Sequence, residues 1–113
     1  MRINRRSHEM LLKKWLKTIL KKLIEEYKPE KIILFGSLAS GKIDDASDID
    51  LVIVKRTRKR FLRRAIEVSL LCAARVGVDY FVYTPREFQA MVQDNQFFQE
   101  EVLAKGEVIY EKV

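Results

Sequence analysis

Gly36-Ser37-Leu38-Ala39-Ser40-Gly41-Lys42-Ile43-Asp44-Asp45-Ala46-Ser47-Asp48-Ile49-Asp50-Leu51-Val52-Ile53-Val54 sets two acids at the entrance of an apolar strand. Residues two apart in a strand point to one face, with Cα atoms about 6.5–7 Å apart. Two such carboxylates repel each other and are costly to bury unpaired. Yet Leu51-Val52-Ile53-Val54 carries this strand into the core. Divalent cations would resolve the conflict, because Mg²⁺ prefers carboxylate oxygens and commonly shares its coordination with substrate phosphates. A third carboxylate, Asp79, lies in Val78-Asp79-Tyr80-Phe81-Val82-Tyr83. Asp is depleted in strands. If these two strands are neighbours, Asp79 joins Asp48 and Asp50. Three carboxylates can hold two metals about 3.5–4 Å apart, the clamp used for in-line phosphoryl displacement. One ion would organise a triphosphate. The other would activate an acceptor hydroxyl, with Asp79 best suited to assist its deprotonation.

Working outward, Lys31–Phe35 reads as a buried strand closed by Gly36, and Ile49–Val54 as a second. Gly36 allows a sharp turn and close approach of a phosphate to the backbone. The amides that follow, at the start of a short helix, and the Ser37 hydroxyl are candidate phosphate ligands. Residues 8–27 repeat apolar side chains at helical spacing, from Leu12 to Tyr27, with lysines on the other face. This predicts a helix packed on the sheet, although a membrane-surface helix has the same pattern. Ser7 is its expected N-cap and Pro29 its end. Residues 58–75 return to helical spacing through Phe61, Leu62, Ala65, Ile66, Ser69, Leu70 and Ala73, stopping near Gly77. Val78–Tyr83 is a third strand. Thr84-Pro85-Arg86-Glu87 has the grammar of a helix start, with Thr as N-cap, Pro first and Glu third. One or two helices then run to Lys105, Gly106 caps the end, and Glu107–Tyr110 offers a last strand. The order α-β-β-α-β-α-(β) predicts an α/β or α+β fold, a mixed sheet flanked by helices.

At 113 residues, 48 % hydrophobic and 34 % charged, the chain is expected to be one domain spanning 1–113. It has room for a catalytic module but not for the extra domains of a template-reading polymerase. The formal charge of +6 favours anionic partners without choosing among them. Cys72 is the only cysteine, which excludes an internal disulfide and a thiolate zinc cluster. It is expected to be buried and inert. His8 is the only histidine and sits near a terminus expected to fray, so histidine-based catalysis is not expected. No apolar run approaches the ~20 residues of a membrane span, and the basic N-terminus lacks a secretory h-region. A cytoplasmic protein is expected.

From average residue usage, Gly-Ser-x10-Asp-x-Asp arises by chance in roughly one chain of this size in several hundred. Gly36-Ser37, ten residues, then Asp48-Ile49-Asp50 resembles the signature of the minimal nucleotidyltransferases of the DNA polymerase β-like superfamily. The similarity extends from Ile32 to about Tyr83. The leading helix and the ending Lys105-Gly106-Glu107-Val108-Ile109-Tyr110 also look family-like. The resemblance implies the polymerase β-like palm fold, Mg²⁺ dependence with two ions (Mn²⁺ as substitute), and an NTP donor, ATP first, from which AMP is moved. It further implies a partner: many such proteins are antitoxins that nucleotidylate a HEPN-domain toxin, while others modify tRNA ends. Residue by residue, Gly36 and Ser37 match the nucleotide-binding pair, Asp48 and Asp50 the metal ligands, and Asp79 the third acid. Many relatives read Gly-Ser-Arg-Ala-Arg-Gly where this chain has Leu38 and Ser40, so two cations that could contact phosphate are missing. Lys42 is the candidate to compensate.

Lys55-Arg56-Thr57-Arg58-Lys59-Arg60-Phe61-Leu62-Arg63-Arg64 holds seven cations and no acid. It is either a solvated face or a surface for RNA or an acidic partner, since like charges repel unless neutralised. Because it directly follows the acidic strand, it could guide a polyanionic acceptor toward the site. Phe88, Met91, Phe97 and Phe98 are expected in the core. Three functions are compatible with these features: an active nucleotidyltransferase, a catalytically weak module that neutralises its partner by contact, and a basic nucleic-acid-binding protein. The last leaves the three acids unexplained. Self-association into a homo-oligomer is compatible with so small a chain bearing apolar helices.

Overall fold

A computed structural model describes residues 5–113. Its elements are α1 (Arg5–Lys22, continued by a π-helical turn Leu23–Tyr27), β1 (Lys31–Phe35), α2 (Ser37–Ser40) and β2 (Ile49–Val54). Then come α3 (Phe61–Cys72), β3 (Val78–Tyr83), α4 (Pro85–Asp94), a π-helical segment Phe98–Ala104 and β4 (Glu107–Glu111). The four strands lie in the order β3-β2-β1-β4. β1 is antiparallel to both β2 and β4, and β2 is parallel to β3. This is the mixed, helix-flanked sheet expected from the sequence.

Alternation along the strands divides the side chains between two faces. Ile32 and Leu34, Ile49, Leu51 and Ile53, and Val82 pack with Leu12, Ile19 and Leu23 of the first helix and Val68 and Cys72 of α3. On the other face, Ile33, Val52 and Val54 pack under Phe88, Phe98 and Val102. Most of these side chains are fully buried, so truncating one to Ala would cost about 2–5 kcal/mol. Cys72 is a buried free thiol, as expected, and burial pushes its pKa up.

Several boundaries differ from the sequence reading. Ser7 lies inside α1 and is not its cap. The first helix closes on Lys28, whose left-handed backbone (φ 57°) returns its N–H to the Leu23 carbonyl, one residue before Pro29. α3 is shorter than 58–75: Arg60 is extended and Ala73 is left-handed (φ 45°). Its face is also reversed. Leu62, Ile66 and Leu70 are 71 %, 48 % and 76 % exposed, whereas Arg64, Val68 and Cys72 point inward. Arg64 tolerates burial because it donates to the Lys59 and Val82 carbonyls and to both oxygens of Glu87. The capping box at Thr84 and Glu87 forms as expected. Gly106 serves close approach rather than a left-handed cap: a methyl there would fall on the Val102 carbonyl. Of the four residues expected in the core, Phe88 and Phe98 are buried and Met91 half-buried, but Phe97 is 66 % exposed.

Candidate functional site

β1 ends with Phe35 opposite Asp50, and β2 pairs Asp50 directly with Asp79 across the parallel ladder. The neighbouring strands anticipated from the sequence therefore bring these two acids together, on the face that also carries Val52 and Val54. Two glycines make room for the carboxylates. Gly36 turns the chain with φ 78°, and a methyl there would overlap the Asp50 carboxylate. Gly77 has the same relation to Asp48, whose carboxylate lies against it. Sequence reasoning reserved Gly36 for the approach of a phosphate. The structure gives it a second duty, seating an acid, and adds Gly77, which the sequence reading passed over.

Between Gly36 and Asp48 the chain forms α2, which ends on left-handed Gly41 (φ 80°). Ile43 is buried and anchors the loop. The loop then closes in a turn: Asp44 Oδ1 accepts from the Ala46 N–H at 2.8 Å and from the Ser47 hydroxyl at 3.3 Å. His8 reaches this turn from α1, its Nε2 2.7 Å from the Ser47 carbonyl oxygen. The helix is formed there rather than frayed, so the single histidine braces the residue before Asp48. Its remoteness in sequence, 39 residues, hid that role. On the far side, the Ile49 N–H donates to the Gly77 carbonyl at 3.0 Å. The start of β2 is thus held from two directions.

Asp50 is half-buried and its pKa is pushed up to about 6. Burial is the largest cause, followed by the hydrogen bond shared with Asp79 and the negative charges of Asp79 and Asp48. Asp48 and Asp79 are exposed. Among the described residues, no three His, Cys, Asp or Glu side chains stand close enough to enclose a metal ion as arranged. Asp50 and Asp79 touch, while Asp48 is turned to Gly77. The donor set is nevertheless all carboxylate, the chemistry that suits Mg²⁺. The raised Asp50 pKa reflects burial first and then the accumulated charge of Asp79 and Asp48, and a bound cation would relieve both.

Ser37 begins α2 and is half-buried. Lys42 is exposed on the loop, its backbone N–H 3.4 Å from Ser40 Oγ, and the structure does not bring it to the acids. Nor does the basic run lead to them. It leaves the opposite end of β2, about 13 Å from Asp50 at the ordinary strand rise. Four of its seven cations have partners within the chain: Lys55 with the Tyr27 carbonyl and ring, Arg56 with Glu30, Lys59 with Glu67, and Arg64 with Glu87. Arg58, Arg60 and Arg63 remain exposed. The expectation that this run guides an acceptor to the acids is therefore not supported by its position.

A crystal structure of a candidate nucleotidyltransferase from Sulfolobus solfataricus has a similar fold, with TM-score 0.68 and 22 % sequence identity, over 96 % of this chain and 87 % of that one. No curated protein matches the sequence. None of the described helices is long and apolar enough to cross a membrane. The family profile of the polymerase β nucleotidyltransferases matches residues 17–113, which include both glycine seats and all three acids, and the chain belongs to that family.

Proposed function

We propose that this protein is a metal-dependent nucleotidyltransferase that moves a nucleoside monophosphate, AMP from ATP, onto a hydroxyl of a partner protein or an RNA end. The observation that carries the reading is the Asp50–Asp79 contact, seated against the Gly36-Ser37 turn. Asp48, Asp50 and Asp79 would hold two Mg²⁺ or Mn²⁺ ions. Bound there, the ions would polarise the α-phosphate and lower the pKa of the acceptor hydroxyl. Gly36 and Ser37 receive the phosphates, and the exposed Lys42 is the loop cation available to them in place of an arginine at 40, while the buried Leu38 faces the core. Asp79, exposed on the edge strand, faces an incoming acceptor and takes its proton. The hydroxyl oxygen bonds to the α-phosphorus, the bond from that phosphorus to the β-bridging oxygen breaks, and pyrophosphate leaves. A cytoplasmic location would supply the NTP donor.

A protein acceptor is favoured over RNA. Ile66 and Leu70 of the exposed stripe on α3 line the same groove as Asp79, and apolar patches beside a site favour protein contact. The exposed cations of the basic run, Arg58, Arg60 and Arg63, follow the other end of β2. This supports the antitoxin reading, with a HEPN-type toxin as substrate. Leu38 and Ser40 keep a second reading in play, neutralisation by contact with little catalysis. Incubation with Mg²⁺ and each α-³²P NTP, with a co-encoded partner or total tRNA, separates the two. Label transferred by the parent protein but not by Asp48→Asn/Asp50→Asn supports the enzyme. Tight partner binding without transfer, surviving both substitutions, supports the contact module.

A further inference from the structure

On the α4 side of the sheet, Gly36 and Asp50 line one end of a cleft of about 400 Å³. Phe81, Met91, Asn95, Phe97 and Glu101 are among the other residues that line it. The volume falls within the range of ordinary ligand pockets, about 300–1,000 Å³. Apart from Asp50, Asn95 and Glu101 its wall is apolar or aromatic, so the cleft joins the acid pair to a surface that suits a base. Phe97 is exposed while its neighbour Phe98 is buried at 2 %, so the chain holds one ring in the core and offers the next at the rim. The turn between them is fixed: Asn95 Oδ1 accepts the Phe98 N–H at 2.8 Å. That bond orients the Asn95 side chain and leaves its amide nitrogen as a donor on the cleft wall. A flat π-face with ring-nitrogen acceptors is what this combination suits.

We propose that this cleft is the base subsite of the donor, with Phe97 as stacking platform and Asn95 as hydrogen-bond donor, and that it selects a purine. A purine's larger π-face covers more of the Phe97 ring than a pyrimidine's. The assignment rests on the nucleotidyltransferase reading and deepens it. It also gives the exposed phenylalanine a use that core packing does not.

The test is binding, not turnover. Full-length protein with Mg²⁺ is titrated with α,β-methylene-ATP, its cytidine counterpart and tripolyphosphate, with saturation-transfer NMR on the nucleotide protons. The wild type is expected to bind the purine analogue more tightly than the pyrimidine one and to saturate its base protons most strongly. Phe97→Ala weakens the purine analogue by roughly 5- to 100-fold, the worth of one stacked base, and leaves tripolyphosphate affinity unchanged. Phe97→Trp restores binding. Asn95→Asp, which keeps the acceptor for Phe98 and removes the donor, lowers purine affinity alone. If the purine analogue binds the wild type but Phe97→Ala stays within twofold, with saturation strongest on the ribose, the subsite is overturned and the transferase reading stands. If folded wild type binds neither nucleotide analogue, the donor reading fails and takes the subsite with it.

Discussion

Replacing Asp50 by Asn should abolish transfer and yet stabilise the metal-free protein. Asp50 is half-buried, touches Asp79 and has its pKa raised from about 3.8 to about 6. The folded state therefore holds this proton more tightly than the unfolded chain does. Its contribution to stability is fully present below about 3.8 and is lost as pH rises through about 6. The full difference would correspond to about 3 kcal/mol. Solvent reaches half of the side chain, and screening reduces this to about 1–2 kcal/mol. Asn keeps the shape and a hydrogen bond to Asp79 without the charge. In EDTA at pH 7.5, Asp50→Asn should melt roughly 4–10 °C above the wild type, and the gap should close by about pH 4. Comparing the two proteins at each pH cancels other titrations, such as that of Glu87. There burial opposes ionisation, but Arg64 and Thr84 hold the carboxyl below its usual range. Adding Mg²⁺ should raise the wild type above pH 6 and do little for the variant. An Asn variant no more stable than wild type at pH 7.5 in EDTA would refute the charge-accumulation argument.

Gly36→Ala should lower transfer at least tenfold and cost about 1–2 kcal/mol in urea unfolding, because φ is 78° and the new methyl displaces the Asp50 carboxylate. Arg64→Ala should cost about 3 kcal/mol, since it strips the buried partner from Glu87 and from the Val82 carbonyl. A cost below 1 kcal/mol by denaturant titration would mean that the guanidinium is solvated. Within α3, Val68→Ala should destabilise by about 1–3 kcal/mol and Leu70→Ala by less than about 0.5 kcal/mol. The opposite ranking would restore the face the sequence pattern favours.

Sequence made the acids legible because their chemistry conflicts with their surroundings. Asp48 and Asp50 open an apolar strand and Asp79 interrupts another, so a reason for them was needed before any fold was known. That reason holds for Asp79 only if the two strands are neighbours, and the ladder does set Asp50 beside Asp79. Features settled by partners distant in sequence were not legible. The apolar pattern of α3 assigned Leu62, Ile66 and Leu70 to its marked face, since nothing local reveals that Arg64 finds Val82 and Glu87 18 and 23 residues away. The basic run looked like seven cations awaiting a polyanion because Tyr27, Glu30, Glu67 and Glu87 are not in the run. Gly77 was legible only as the stop of a helical pattern; its second need becomes visible once the Asp48 carboxylate lies against it.

The spacing of the signature follows from the register of the sheet. β1 and β2 are antiparallel with Phe35 opposite Asp50, so Gly36 leaves the sheet at the edge where the acids enter it. The residues between must carry the chain out, form α2 and return it to the same edge. Both ends of that excursion are pinned, at Gly36 by the Asp50 carboxylate and at Ile49 by its bond to Gly77. Inside it, Leu38 and Ile43 are buried and anchor the excursion to the core, whereas Ser40 and Lys42 are exposed. Substitutions at Ser40 and Lys42 should therefore act on donor affinity and leave the placement of Asp50 and Asp79 intact. Substitutions at Gly36 or Gly77 should move the acids themselves. Loss of the loop arginines is then compatible with an intact acidic pair, because the two features belong to different parts of one closed loop.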